Sequence, residues 1–275
     1  MLGIKRLLNF YLDASIHVAL AVLALYWTSV YLLNILPNYL LAGFLFFSTI
    51  GYYNLVKYGG HLKVPTKMEP TSFVMIRTLT LVSLFLTMVF SVLIDLKLYV
   101  VLGILFVLGV LYVIPLFPQK KSLRSWGILK ILIVGLVWTG TTVVLPVVDT
   151  GMPWHIDLFF FGLQRFVLVL ILMIPFEIRD MKADSVELHT LPQRYGVGPT
   201  QWIGYLLILL LFVLTFMRSR FSEGEVLVRL GLSLFLFVLI YFSRNQSGRY
   251  YAGLLVEAVP IFYCAALWWV LYGLK

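Results

Sequence analysis

The chain has 275 residues, of which 61% are hydrophobic and only 12% are charged, and its mean hydropathy is +0.99. Water-soluble domains of this length do not have such a composition, so the sequence predicts a polytopic membrane protein. The formal net charge of +9 is typical of loop charge that orients a membrane protein, and it does not indicate a nucleic-acid partner. The single cysteine, Cys264, excludes an intrachain disulfide and a metal site built from several thiolates.

The chain begins with a short segment, residues 1–13, in which Lys5, Arg6 and Asp13 stand among apolar residues. This pattern predicts a helix that lies in the membrane interface. Nine apolar stretches follow, each near the length of about 20 residues that a membrane span needs. They are residues 14–36, 38–56, 72–94, 97–117, 126–147, 157–176, 200–217, 226–243 and 250–273. We therefore predict an all-α integral membrane protein with a single transmembrane domain over residues 1–275.

The connections between the predicted spans differ in charge on the two sides of the membrane. With the N-terminus inside, most of the Lys and Arg residues outside the spans fall on the inner side. This bias predicts a protein of the cytoplasmic membrane with its N-terminus in the cytoplasm and its C-terminus on the opposite side. The inner connections, at about residues 57–71, 118–125 and 177–199, are also the longest and most polar. Their composition favours a cavity that opens at the cytoplasmic face.

The third of these connections carries a concentration of carboxylates. Glu177, Asp180 and Asp184 lie close together, although Asp and Glu total only 12 residues in the chain. Spacings of three and four residues place them on one face of a helix, here called the acidic stripe. Two or three carboxylates on one face suit Mg²⁺, which is usually held together with a substrate phosphate. Arg179 and Lys182 interleave with the acids, so the pattern also fits a salt-bridged, solvated helix end.

The acidic stripe and the residues after it resemble a known motif. The motif residues are Glu177, Ile178, Arg179, Asp180, Asp184, Thr190, Leu191, Pro192 and Gly196. Together with nine spans and polar inner connections, they resemble the second aspartate-rich motif of the UbiA superfamily of intramembrane aromatic prenyltransferases. That superfamily has nine transmembrane helices, with two such motifs on cytoplasmic loops after the second and sixth helices. In this chain Glu177 stands where Asp is usual, and His189 stands where Lys or Arg is usual.

The first motif is where the chain departs from the family. The family pattern is an Asn followed by Asp four and eight positions further on. Here Asn54 ends the second span, but Tyr58 and Leu62 stand at the two later positions. The same region carries Lys57 and Lys63, and lysine can bind a diphosphate directly as a point charge.

The resemblance implies a UbiA-type bundle with a lipid-open central cavity. It also implies transfer of an isoprenoid chain from a prenyl diphosphate to a lipophilic acceptor, for example an aromatic one. Mg²⁺ on Glu177, Asp180 and Asp184 would assist departure of the diphosphate, with Asp180 and Asp184 as the catalytic residues. The residues expected to bind the substrate are Asn54, Lys57, Tyr58, Lys63, Lys120, Lys121, Lys182 and Arg194.

Two other functions are compatible with the sequence. The missing carboxylates of the first motif fit a non-catalytic relative that binds isoprenoid diphosphates or acts as a membrane scaffold. A small transporter is the third reading. It is less favoured because transporters bind their substrates near the bilayer midplane, whereas the polar residues here lie at the inner ends of the spans.

Overall fold

The computed structural model describes residues 2–59, 69–113, 115–117, 120–122, 127–182, 184, 188–219, 221–245 and 248–273. Side chains are described for all of these except residue 2 and the two short strands. These described residues form twelve α-helices, which are α1 (Leu2–Asp13), α2 (Ile16–Leu33), α3 (Tyr39–Tyr58), α4 (Pro70–Leu93), α5 (Tyr99–Val113), α6 (Gly127–Thr139), α7 (Leu145–Thr150), α8 (Ile156–Asp180), α9 (Leu191–Tyr195), α10 (Val197–Val213), α11 (Glu223–Ser243) and α12 (Val259–Trp268).

Shorter helical turns extend several of these helices. Three are π-helical, at Gly140–Val144, Tyr251–Val256 and Trp269–Gly273. Two are 3₁₀ turns, at Leu96–Leu98 and Leu214–Met217. Each π turn lies next to an α-helix in a membrane-spanning segment, so the fifth and ninth spans are continuous but irregular helices.

Nine helical segments in the described part of the chain are long and apolar enough to cross a membrane, as predicted. They are Ile16–Leu33, Tyr39–Tyr58, Pro70–Leu93, Leu96–Val113, Gly127–Thr150, Ile156–Asp180, Val197–Met217, Glu223–Ser243 and Tyr251–Gly273. The predicted all-α membrane fold is therefore confirmed.

Two span ends differ from the sequence prediction by four residues, the largest differences among the spans, and in both cases a proline is involved. The fourth span was expected to reach residue 117, but its helix ends at Val113. Pro115 then begins strand β1 (Pro115–Phe117), which pairs antiparallel with β2 (Lys120–Ser122). Proline lacks a backbone N–H and restricts the residue before it, which explains the early stop. The sixth span instead continues through Pro175 to Asp180.

The spans divide into central and peripheral ones. In the first and sixth spans 61% of the apolar window is buried inside the protein, whereas in the fourth span only 11% is buried. The main core contains side chains from α2, α6, α8, α10, α11 and α12. The last span packs against α2, so the two ends of the chain meet in the middle of the bundle.

The N-terminal helix α1 is fastened to the beginning of the last span. Arg249 Nη2 lies 2.6 Å from Asp13 Oδ1, and the Tyr250 hydroxyl lies 2.6 Å from Asn9 Oδ1. In the first turn of α2, His17 Nε2 lies 2.9 Å from the Leu254 carbonyl oxygen. These contacts join segments from opposite ends of the sequence at the end of the bundle where Glu177 lies, here called the motif end.

Small residues allow neighbouring spans to pack closely. An added Cβ at Gly43 in α3 would lie 2.7 Å from the Phe90 ring in α4, and one at Gly51 would lie 2.8 Å from Leu84 Cδ2. Apolar surface gives little driving force between helices in lipid, so close van der Waals contact supplies much of the association. Glycine at these two positions therefore permits the α3–α4 contact.

Candidate active site

The acidic stripe is built by the end of α8 and the turn that follows it. Glu177 and Asp180 lie in the last helical turn, and the Asp184 amide donates a 2.8 Å hydrogen bond to the Asp180 carbonyl oxygen. That bond has the spacing of an α-helical turn, so the helical direction is kept one turn past the end of α8. Asp184 consequently returns to the side of the helix on which Glu177 lies.

Glu177 and Asp184 converge on a lysine from a neighbouring span. Lys130, in the first turn of α6, has its Nζ 2.6 Å from Glu177 Oε1 and 3.6 Å from Asp184 Oδ2. The Glu177 side chain is only 1% exposed and that of Lys130 is 13% exposed. Glu177 Oε2 and Asp184 Oδ2 are nevertheless buried without a hydrogen-bond partner. Each of the two carboxylates thus has an oxygen that accepts no hydrogen bond, close to a buried cation.

Asp180 has a different environment. Arg179 donates from Nε to Asp180 Oδ1 at 2.7 Å and from Nη2 to Asp180 Oδ2 at 2.8 Å. The Arg179 guanidinium also lies 5.0 Å from the centre of the Phe176 ring, a cation–π contact. The predicted stripe is therefore present, but it is divided into a Glu177–Asp184 pair on Lys130 and an Asp180–Arg179 pair.

The segment after the stripe is folded back onto it by a short capped helix. Thr190 precedes α9, and its backbone N–H donates a 3.0 Å hydrogen bond to Gln193 Oε1. Gln193 Nε2 then donates to the Met181 carbonyl oxygen at 3.3 Å and to that of Asp184 at 3.2 Å. Thr at the N-cap and Pro192 in the first turn are both favourable choices. The Thr-Leu-Pro sequence therefore fixes the backbone that carries Asp184.

Gly127 and Gly196 occupy backbone positions that suit glycine. Gly196, between α9 and α10, has φ +84°. Gly127, at the start of α6, has φ +33°, and an added Cβ there would lie 2.6 Å from the His189 carbonyl oxygen. Only glycine adopts such angles without strain, and it also permits close approach of another backbone. The α6 helix that carries Lys130 is thus docked directly on the segment that follows the stripe.

The residues predicted from the first motif lie at the α1–α2 turn. Ser15 Oγ donates to Asn54 Oδ1 at 2.8 Å, and Asn54 Nδ2 donates to the Ala14 carbonyl oxygen at 3.2 Å. Lys57 Nζ donates to Ser15 Oγ at 2.9 Å, and the Tyr58 hydroxyl donates to the Asp13 carbonyl oxygen at 3.1 Å. Asn54 is 1% exposed, and both ends of its amide are bonded inside the protein. In this structure it stabilises the turn between α1 and α2.

One carboxylate at the motif end was not identified from the sequence. Glu257 follows the π turn Tyr251–Val256, and its half-buried side chain interacts electrostatically with Lys57 and Arg179. It also lies near Tyr11, and burial, with a smaller contribution from the Glu257 charge, raises the pKa of the Tyr11 phenol. A single carboxylate within an otherwise apolar span was the available sequence signal.

The remaining predicted substrate-binding residues fall into two groups. Lys182, just after α8, and Arg194, in α9, are both exposed at the motif end. Lys63 lies outside the described residues. Lys120 and Lys121 lie on β2, where the structure describes the backbone and not the side chains.

The donor atoms near Lys130 suit a hard cation. Among the described residues, no group of three or more His, Cys, Asp or Glu side chains is placed to hold a metal ion. Glu177 and Asp184 still offer buried carboxylate oxygens that accept no hydrogen bond, and carboxylate oxygen is the ligand type that Mg²⁺ prefers. Because Mg²⁺ is commonly held by one or two carboxylates plus substrate phosphates, these two residues fit a Mg²⁺–diphosphate unit.

Comparison with known proteins gives matches among solved structures only. No protein-family model and no curated protein sequence matches the chain. A UbiA homolog from Archaeoglobus fulgidus bound to DMAPP and Mg²⁺ has a TM-score of 0.64 and 13% identity, covering 95% of this chain and 98% of that one. A Cd²⁺-bound structure of a UbiA homolog from the same organism has a TM-score of 0.59 and 16% identity, covering 95% and 98%.

A digeranylgeranylglyceryl phosphate synthase is also similar, with a TM-score of 0.55 and 13% identity, covering 94% of this chain and 96% of that one. These matches extend over nearly the whole chain, although the sequences have diverged. The chain is thus a multi-pass membrane protein with the fold of UbiA-type prenyltransferases. The resemblance predicted from the sequence is confirmed at the level of the fold.

Proposed function

We propose that this protein is a UbiA-type prenyltransferase that binds a prenyl diphosphate at the motif end and transfers its isoprenoid chain to a lipophilic acceptor. The observation that carries the proposal is the pair of buried carboxylate oxygens on Glu177 and Asp184 that accept no hydrogen bond, within a fold that binds DMAPP and Mg²⁺ in a solved homolog. A homolog structure with GPP and Mg²⁺ supports the same class of substrate.

In this proposal the carboxylates hold the metal that accompanies the substrate. Glu177 and Asp184 provide the oxygens that accept no hydrogen bond, while both oxygens of Asp180 are bonded to Arg179 beside them. Bound Mg²⁺ would neutralise the charge that develops on the departing diphosphate. The carbon–oxygen bond of the allylic diphosphate breaks and the diphosphate leaves with the electron pair. The acceptor then forms a bond to the allylic carbon and loses a proton.

The chain's own cations complete the diphosphate site. Lys182 and Arg194 are exposed beside the stripe, and Lys57 lies within electrostatic range of Arg179 across the motif end. Their positive charges favour binding of the diphosphate and stabilise it as it departs. We further propose that the motif end faces the cytoplasm, in agreement with the excess of Lys and Arg in the same connections.

The first test is calorimetric titration of the purified protein in detergent with geranyl diphosphate, with and without Mg²⁺. We expect Mg²⁺-dependent binding in the native protein and a loss of at least about 100-fold in affinity in the double variant Glu177→Gln, Asp184→Asn. Asp149→Asn is the matched control, because Asp149 accepts a hydrogen bond from Asn38 at the opposite end of the bundle. Equal affinity in the double variant and the native protein would show that the acidic stripe does not bind the diphosphate.

The second candidate function is non-catalytic binding of isoprenoid diphosphates. It is favoured by the first motif, where Asn54 bonds to the α1–α2 turn and Tyr58 stands in place of a carboxylate. The two functions differ in turnover. Release of diphosphate with formation of a prenylated product, over a panel of phenolic and glycerophosphate acceptors, supports transfer. Binding without release over the whole panel supports the non-catalytic function.

A further inference from the structure

Lys130 lies between the carboxylates of Glu177 and Asp184. Its ammonium nitrogen is within 2.6 Å of one carboxylate and 3.6 Å of the other, in a nearly buried position. Two carboxylates without a cation would be costly here, because uncompensated buried charge destabilises a protein strongly. The lysine supplies one positive charge against two negative charges, so the group keeps a net negative charge.

The position of Lys130 is determined by the packing of α6. At its N-terminus, Gly127 allows the helix to contact the backbone at Leu188 and His189. Two turns later, an added Cβ at Gly135 would lie 2.8 Å from the Phe166 ring of α8. These two close contacts hold α6 against the elements that carry the carboxylates, so Lys130 has little freedom to turn away from them.

We propose that Lys130 is a resident cation of the acidic stripe and makes metal binding dependent on the diphosphate. Without substrate, the ammonium group occupies the space between Glu177 and Asp184 and repels a divalent ion. A diphosphate brings several negative charges and phosphate oxygens, which can bind both the ammonium and the metal. The carboxylates then take up Mg²⁺ as part of a metal–diphosphate unit. This inference deepens the proposed function and rests on it for the identity of the anion.

Lys97, at the opposite end of the bundle from Lys130, provides the contrast. Its Nζ lies 3.0 Å from Asp95 Oδ2 and its side chain is exposed, whereas Lys130 contacts two carboxylates and is nearly buried. Removal of Lys97 should therefore leave the metal affinity of the stripe unchanged. Removal of Lys130 should increase it, because the two carboxylates then lose their internal counter-ion.

The test is titration of the purified protein with Mn²⁺, followed by electron paramagnetic resonance of the free ion, without any isoprenoid. We expect weak binding in the native protein and in Lys97→Met, and an increase of about tenfold or more in affinity in Lys130→Met. The increase should disappear in the triple variant Lys130→Met, Glu177→Gln, Asp184→Asn. Mn²⁺ binding by the native protein as tight as that of Lys130→Met would overturn the inference.

A second measurement covers the case in which Lys130→Met does not fold. Inorganic pyrophosphate is added to the native protein, and the Mn²⁺ affinity is expected to rise, whereas Lys130→Arg should behave like the native protein. Mn²⁺ affinity that does not change with pyrophosphate would overturn the proposed coupling. Absence of geranyl diphosphate binding in every variant would instead overturn the proposed function, while the Mn²⁺ titration alone still decides the role of Lys130.

Discussion

Buried charges occur in two parts of the bundle, and they are satisfied in different ways. Away from the motif end, Arg218 and Arg229 share one carboxylate, Glu225, and all three side chains are buried. Within the part of the chain that the structure describes, Arg165 has no carboxylate partner. It donates to the Leu25 carbonyl oxygen at 2.8 Å and to the hydroxyl of Thr28 at 2.5 Å. These arginines are held by contacts that tie spans together.

At the motif end the ratio of buried cations to buried carboxylates is reversed. Lys130 is shared by two carboxylates, and each of these has an oxygen that accepts no hydrogen bond: Glu177 Oε2, and Asp184 Oδ2, which lies 3.6 Å from Lys130 Nζ. Buried cations that are bonded to the protein's own groups have a structural role. Buried carboxylates with unused acceptor atoms indicate instead a site that binds a ligand. Arg165 and Glu177 are on the same helix, separated by about 18 Å of helix rise. One helix thus connects a structural charge cluster to the candidate site.

The largest expected effect is on stability, away from the motif end. Glu225→Gln leaves Arg218 and Arg229 buried without their shared carboxylate, and we expect it to destabilise the protein by about 3–5 kcal/mol. Thermal unfolding in detergent measures this effect, with the exposed Glu223→Gln as the control. Folded protein at low temperature should bind geranyl diphosphate normally. Wild-type stability in Glu225→Gln would break the structural interpretation of this cluster.

Asn54→Ala tests whether the motif end also contains purely structural contacts. The change removes the amide that joins Ser15 and Ala14, and we expect a loss of about 1–2 kcal/mol in unfolding free energy. Geranyl diphosphate affinity of the folded variant should stay within about twofold of the native value. Asn245→Ala, at an exposed position, is the control. If the loss in binding free energy were much larger than the loss in unfolding free energy, Asn54 would contact the substrate, as the sequence predicted.

Gln193→Ala should have the opposite profile, with binding affected more than stability. The Gln193 amide donates to the carbonyl oxygens of Met181 and Asp184, so its removal frees the backbone that positions the stripe. We expect about a tenfold loss of Mg²⁺-dependent geranyl diphosphate affinity, which corresponds to about 1.4 kcal/mol. Gln193→Glu keeps an acceptor for the Thr190 amide but not the donor. If both variants kept the native affinity for geranyl diphosphate, the segment around Gln193 would have no role in positioning the site.

The smallest effect is expected for Tyr58→Phe. The substitution removes one hydrogen bond to the Asp13 carbonyl oxygen and keeps the ring, which packs edge-on against Phe73. The expected cost is about 0.5–1.5 kcal/mol of stability without a change in diphosphate binding. Tyr52→Phe, also on α3, provides a comparison at a residue that bonds to the Gly109 carbonyl oxygen. Weakened binding in Tyr58→Phe alone would indicate that the phenol contacts substrate.

Much of the fold could be predicted from the sequence because the patterns that indicate membrane spans lie within short stretches of the chain. A run of apolar residues needs no partner to be recognised as a span, and the spacing of Glu177, Asp180 and Asp184 is a property of one helix. The neighbours of those residues depend on how separate helices pack. The position of Lys130 depends on glycine contacts of α6, and Glu257 reaches the motif end through an irregular π turn. Neither feature follows from hydrophobicity or periodicity.

The contacts between α1 and the last span have a consequence for biosynthesis. Asn9, Asp13 and His17 are synthesised before their partners Tyr250, Arg249 and Leu254, which follow 241, 236 and 237 residues later in the chain. The earlier spans can enter the bilayer one after another, yet the turn next to Asn54 and Lys57 gains these partners only when the ninth span arrives. The turn between α1 and α2 is therefore completed only when the ninth span is inserted, and a chain that stops before residue 249 lacks these contacts.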